Sequence, residues 1–142
     1  IADGRGMMAA FMLGASGVQI GTRFVASTEA VVSEAYKNRI VKAKDIDSTV
    51  TGRTYGHPVR SLRNDMTREY TRLEAEGKSF EELEYLTLGS LRKAVQEGDV
   101  IRGTVMAGQI AGLIQDIKPC REIIEDMMCE CHELARKAAD FV

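Results

Sequence analysis

The sequence has no tryptophan, only two prolines and only three cysteines among its 142 residues. Those cysteines, Cys120, Cys129 and Cys131, crowd toward the C-terminus, which excludes an evenly spaced disulfide framework and makes a reduced, cytoplasmic compartment the expectation. No apolar run approaches the roughly 18 residues that a membrane helix needs, so no segment is expected to span a bilayer. Charge of one sign is also missing, with 19 Lys and Arg against 21 Asp and Glu and a net charge of −2. That balance gives no electrostatic reason to expect nucleic acid or anionic lipid as a partner. No basic stretch followed by an apolar run marks a signal peptide. The chain opens on Ile1 rather than methionine, and the expectation is a segment of something longer. With 44% hydrophobic and 28% charged residues the composition is that of one globular domain, which excludes disorder and collagen.

Hydrophobic patterning supplies a coarse element order. Ile1-Ala2-Asp3-Gly4-Arg5-Gly6 reads as a strand end running into a glycine turn, and Met7 to Leu13 as a helix stopped by Gly14. Gly17 to Gly21, a short apolar run bounded by glycines, reads as a buried parallel strand. Ser27 to Ala43 has a patchy apolar face and basic residues in its last turns, as a helix would. Ile46 to Thr51 alternates and is rich in β-branched residues, which predicts an edge strand or extended arm; Gly52 to Pro58 is an irregular loop. Beyond it the chain is predicted helical to its end. Leu62, Met66, Tyr70 and Leu73 share one face, Ser79 and Glu82 fit a capping box, and Leu88, Leu91 and Val95 mark a further helix ended by Gly98. Met106, Ile110, Leu113, Ile114 and Ile117 mark another, ended by Pro119, and a last helix from about Arg121 aligns Ile124, Met127, Met128, Cys131, Leu134 and Ala138.

Two glycine turns near the N-terminus carry the chemistry. A strand that feeds into glycine-rich backbone presents free N–H groups able to cradle a phosphate, and in parallel α/β barrels the phosphate site is built from the loops after the last two strands. Gln19-Ile20-Gly21-Thr22-Arg23-Phe24, with a helix signal from Ser27, fits the second such loop. Spacing alone favours an ordinary tight turn about two to one.

Ile1-Ala2-Asp3-Gly4, Gly17-Val18-Gln19-Ile20-Gly21-Thr22-Arg23-Phe24-Val25, Gly56-His57-Pro58-Val59-Arg60 and Gly103-Thr104-Val105-Met106-Ala107-Gly108-Gln109-Ile110-Ala111-Gly112-Leu113 reverse those odds. Together, and in this order, they closely resemble the C-terminal part of the flavin-dependent enoyl-acyl-carrier-protein reductases, which share a superfamily with the nitronate monooxygenases, formerly the 2-nitropropane dioxygenases. The resemblance implies an α/β fold, namely the C-terminal portion of an FMN-binding (β/α)8 TIM barrel, predominantly helical over these residues. It implies FMN as cofactor, NAD(P)H as co-substrate, and reduction of enoyl thioesters in fatty acid biosynthesis. Carried over by position, the FMN phosphate falls to Gly21 and Thr22, with Arg23 and Phe24 beside them. Gly4, Met106, Gly108 and Gln109 join them as cofactor-binding candidates. The Gly-Gly pair that precedes this motif in the family would lie before Ile1. So would the family's catalytic histidine, which leaves no catalytic residue to assign here. Since a whole barrel needs about 250 residues, this chain alone is expected to be inactive.

Three segments follow: residues 1–45 with the last barrel strands and helices and the phosphate loops, 46–60 as extended arm and loop, and 61–142 as a helical region. The partners expected are a small-molecule or carrier-protein-bound substrate and either a second copy of the chain or a missing N-terminal half, because an incomplete barrel leaves strand edges and apolar faces to cover. The alternatives are a nitronate monooxygenase fragment, a non-catalytic helical assembly piece, and, last, a helical module unrelated to flavin. His57 reads as a packing group. Cys129, Cys131 and His132 are not expected to hold a metal, because residues two apart on a helix point to nearly opposite sides.

Overall fold

The computed structural model describes residues 1–139. The chain order is α1 (Gly4–Met12), α2 (Thr22–Val25), α3 (Glu34–Val41), β1 (Ser48–Thr51), β2 (Val59–Leu62), α4 (Asp65–Ala75), α5 (Phe80–Thr87), α6 (Ser90–Arg92) and α7 (Cys120–Ala139). A π-helical turn, Lys93–Glu97, continues α6, and a 3-10 turn spans Gln109–Leu113. Among the described residues no helix is long and apolar enough to cross a membrane.

Helices α1, α3, α4 and α5 begin where the local sequence supplies a cap, whereas the first amide of α7, on Cys120, donates to the distant Glu29 carboxylate. The Asp3 carboxylate accepts from the Gly6 amide at 2.8 Å and starts α1 three residues earlier than the apolar run suggests. Ser33 caps α3, so Ser27 to Val32 is not helix. Asn64 with Thr67 and Ser79 with Glu82 form capping boxes at α4 and α5, the second of them as the sequence predicts.

The two ends of the described chain meet. α1 lies along α7, with Met7 and Met8 against Ile123, Met127 and Cys131, and with Ile20 and Phe24 packed on the same cluster. Gly4 makes the close approach possible, since a Cβ there would stand 2.5 Å from the Met127 carbonyl oxygen and 2.8 Å from the Cys131 nitrogen. The apolar stripe of α7 is therefore Ile123, Met127, Cys131, Leu134 and Ala138, while Ile124 and Met128 are exposed. The predicted stripe was one residue out of register at those two positions. Cys129 is exposed and Cys131 buried, facing apart as helical rotation requires.

The central core gathers Tyr36 and Ile40 of α3, Leu62 of β2, and Val105, Ala107, Ala111 and Ile114 of the C-terminal loops. β1 and β2 pair antiparallel, Ser48 with Leu62 through Thr51 with Val59. The predicted strand at 46–51 is thus present as β1. Its partner β2 was not foreseen and takes Leu62 out of the predicted helical face. β2 also crosses the expected segment boundary at 60/61. Residues 105–107 lie along the other edge of β2, with Leu62 N donating to Val105 O at 2.9 Å and Ala107 N to Arg60 O at 3.4 Å.

Three further expectations fail for local reasons. Gly17 to Gly21 forms no strand, because none of the described residues pairs with it, and a strand exists through its neighbours' hydrogen bonds. The predicted helix over 106–117 is instead extended chain around the 3-10 turn. There Gly112 presses so closely on the chain of α3's C-terminal loop that a Cβ would stand 2.6 Å from Asp45 N. The helix signal over 88–95 is split by Gly89, whose φ of +73° ends α5's exit before α6 begins.

Candidate functional site

Thr22 and Gly108 are 86 residues apart in sequence, and the fold joins them: the Gly108 amide donates to Thr22 Oγ1 at 2.9 Å. The reason lies in the supports on either side. Gly21 caps the short helix α2, its carbonyl accepting from Phe24 N at 2.9 Å and Val25 N at 3.2 Å. Tyr36, buried in α3, donates its hydroxyl to the Met106 carbonyl at 2.8 Å and so fixes the chain two residues before Gly108. Burial pushes the Tyr36 phenol up to about 12, so it remains a proton donor at neutral pH.

The resulting surface suits an anion. A Cβ on Gly21 would meet no atom within 4 Å, so this glycine faces open space. The amides of Gly21, Thr22 and Arg23 have no acceptor among the described residues. A hydroxyl carries one proton and two lone pairs, so Thr22, having accepted from Gly108, still has its proton to give to an incoming oxygen. Gln109 follows Gly108 with its side chain exposed, and Met106 is 42% exposed. Thr22 and Gly108 are thus in contact, with Gly21 next to the first and Gln109 next to the second, while Met106 lines a cavity with Met66 and Tyr70.

The other three candidates lie elsewhere in role. Arg23 is buried, donating to the Asp116 carbonyl at 2.8 Å and to its carboxylate at 2.5 Å, which ties α2 to the loop before α7. Phe24 packs into the α1–α7 cluster. The Gly4 amide donates to Glu130 Oε2 at 2.7 Å and is spent on α7. The positions that hold the site together, Tyr36, Asp116 and Glu130, gave no signal in the sequence, because each acts through a partner at least 70 residues away. His57 is exposed and lies against Phe80, ring centroids 5.1 Å apart. Among the described residues no three His, Cys, Asp or Glu side chains are grouped to hold a metal.

Comparison with known proteins places this geometry. The fold is a segment of a (β/α)8 barrel of the kind found in FabK of Thermotoga maritima, to which the chain is 51% identical with a TM-score of 0.94. The family model for nitronate monooxygenase matches residues 1–130, and the chain belongs to that family. A nitroalkane oxidase from Streptomyces ansochromogenes is similar at 26% identity and a TM-score of 0.77. A nitronate monooxygenase from Neurospora crassa is 30% identical over 153 aligned residues. These matches cover 100%, 98% and 99% of this chain but only 45%, 39% and 38% of the respective relatives, so the chain spans less than half the length of each.

Proposed function

We propose that the chain forms the phosphate-holding side of an FMN-dependent oxidoreductase that reduces enoyl thioesters on acyl carrier protein with NAD(P)H. The observation that carries the reading is the Gly108 to Thr22 hydrogen bond beside the open face of Gly21. The 51% identity to FabK, against 30% to the fungal nitronate monooxygenase, favours the reductase branch.

In this reading the backbone amides of Gly21 and Thr22 and the Thr22 hydroxyl bind the flavin phosphate, an arrangement of fixed donors that needs no reorganisation when the anion arrives. Gly108 keeps the Thr22 hydroxyl oriented with its proton outward. Tyr36 holds the chain at Met106, and the Arg23 guanidinium, paired with Asp116, sets the position of α2. FMN, when bound, would supply the hydride-transfer chemistry, and the protein's share is placement and electrostatics. Gly4, Phe24 and the Arg23 side chain support the cradle from behind, while the Arg23 amide stays open to the anion. The rest of the barrel would complete the active site, whether as the remainder of a longer chain or as a partner, and this segment alone would not turn over.

The alternative is nitronate oxidation, which the family model and the Streptomyces and Neurospora relatives favour. The deciding experiment uses the full-length flavoprotein. NAD(P)H oxidation that depends on a 2-enoyl thioester supports the reductase; oxygen consumption with a nitronate and no response to enoyl thioester overturns it. A protein that binds no FMN overturns both.

A further inference from the structure

An open groove runs between β1 and helix α4, and its charge is of one sign. Arg63, Arg68 and Arg72 stand exposed along it beside Thr49, and no Asp or Glu is among its lining residues. No carboxylate among the described residues pairs with Arg63. Arg68 and Arg72 each give one nitrogen to an acid of their own helix, Asp65 at 2.6 Å and Glu76 at 2.7 Å. Exposed pairs of this kind hold weakly, and each leaves most of the guanidinium's donors free for another carboxylate.

The arrangement selects among anionic occupants. Thr67 and Thr71 donate their hydroxyls to the Asn64 and Thr67 carbonyls at 3.0 and 2.9 Å, so the helix threonines have no proton left for a small phosphate. No aromatic residue lines the groove, so it offers nothing for a nucleic-acid base to stack on. The positive charge is instead spread in a row. Arg68 and Arg72 are four residues apart on α4, about 5–6 Å between their Cβ atoms, and Arg63 extends the row past the Asn64 cap. Carboxylates four residues apart on another helix have the same spacing. The row also lies close to the site. Thr49 pairs with Ser61, and Ser61 with Met106, so two strand spacings, about 10 Å, separate the groove from the chain that leads to Gly108.

We infer that this groove docks an acidic helix of the acyl carrier protein, with Arg63, Arg68 and Arg72 facing its carboxylates. Docking here brings the carrier within reach of the site while its flexible thioester arm spans the sheet. The inference rests on the proposed function for the identity of the carrier.

The test uses the full-length flavoprotein and two double variants at exposed positions, Arg63→Glu with Arg68→Glu and Arg63→Lys with Arg68→Lys. Calorimetry with the unacylated carrier protein reads docking without any turnover, and steady-state assays compare a carrier-bound enoyl thioester with its N-acetylcysteamine analogue. Carrier affinity of the parent should fall with rising salt. Charge reversal should weaken carrier binding at least about tenfold and raise the KM for the carrier-bound substrate by a similar factor, while the KM for the analogue stays within about twofold. The lysine variant, which keeps the charge, should stay within about threefold of the parent throughout. No carrier binding by the parent, unchanged affinity after charge reversal, or an equal loss on both substrates overturns the inference. A parent dimer that dissociates on charge reversal with carrier affinity unchanged overturns it too and gives the groove to a second copy of the chain. Should the parent bind the carrier through these arginines yet reduce no enoyl thioester, the proposed function fails and the docking surface stands.

Discussion

Gly4 offers the sharpest separation of a structural from a cofactor role. The resemblance makes it a cofactor candidate, whereas the fold spends it on the crossing of α1 and α7. A Cβ at this position would stand 2.5 Å from Met127 O, 2.7 Å from Glu130 Cβ and 2.8 Å from Cys131 N. Two of those three atoms are backbone and cannot swing aside, so Gly4→Ala must push the helices apart. Overpacking of this kind costs about 1–3 kcal/mol. Separation would also lengthen the Gly4 to Glu130 hydrogen bond, now 2.7 Å, and weaken the cap that this carboxylate provides. Urea unfolding of the protein and of Gly4→Ala, followed by circular dichroism, should show an unfolding free energy lowered by that amount, as a lowered midpoint with an unchanged slope. FMN affinity of the folded variant should stay within about threefold of the parent, well under the tenfold that 1.4 kcal/mol represents. Unaltered stability combined with lost FMN binding would refute the reasoning and return Gly4 to the cofactor.

Tyr36→Phe removes the hydroxyl that holds Met106 O and should cost about 1 kcal/mol at neutral pH, measured by denaturant unfolding. Because the folded phenol titrates at about 12, above its ordinary value of 10, the native state keeps a proton that the unfolded chain loses. Stability from Tyr36 is therefore complete below pH 10 and lost as pH rises toward 12; the phenylalanine variant should show a shallower decline across that window, and an identical slope would contradict the assignment. Ser61 is buried on β2 with no hydrogen-bond partner for its hydroxyl among the described residues. Removing an unsatisfied group can be neutral or favourable, so Ser61→Ala should leave thermal stability unchanged or raised, and a loss above about 1.5 kcal/mol would contradict it.

What the sequence revealed depended on how local the determinants were. The capping serine at 79 and the stop at Gly14 act within one turn and were legible. β1 was legible from its β-branched alternation, but β2 was not, since Val59-Arg60-Ser61-Leu62 becomes a strand only by lying between β1 and residues 105–107. The apolar spacing from Met106 to Ile117 mimics a helix, yet Gly108 is held by Thr22 and Gly112 by the Lys44–Asp45 backbone, contacts that no window of sequence contains. The site divides the same way. Family resemblance brought Gly21, Thr22, Met106, Gly108 and Gln109 into view, and the fold joins the two stretches through the hydrogen bond from Gly108 to Thr22. It gives Arg23, Phe24 and Gly4 to the packing behind, because their partners Asp116, the α1–α7 cluster and Glu130 lie far along the chain.

The central claim is that the open face of Gly21 is where the flavin phosphate sits, and Gly21→Ala tests it most directly. The backbone there has a φ of −109°, which any residue adopts, and the added methyl would touch no protein atom within 4 Å. As an N-cap change it should cost no more than about 1 kcal/mol in stability. The measurement is the FMN dissociation constant of the full-length protein and the variant, by fluorescence titration. The account predicts a loss of at least about tenfold in affinity with folding intact, since the methyl occupies the phosphate's space. Equal affinity in the two proteins would contradict it and place the phosphate elsewhere.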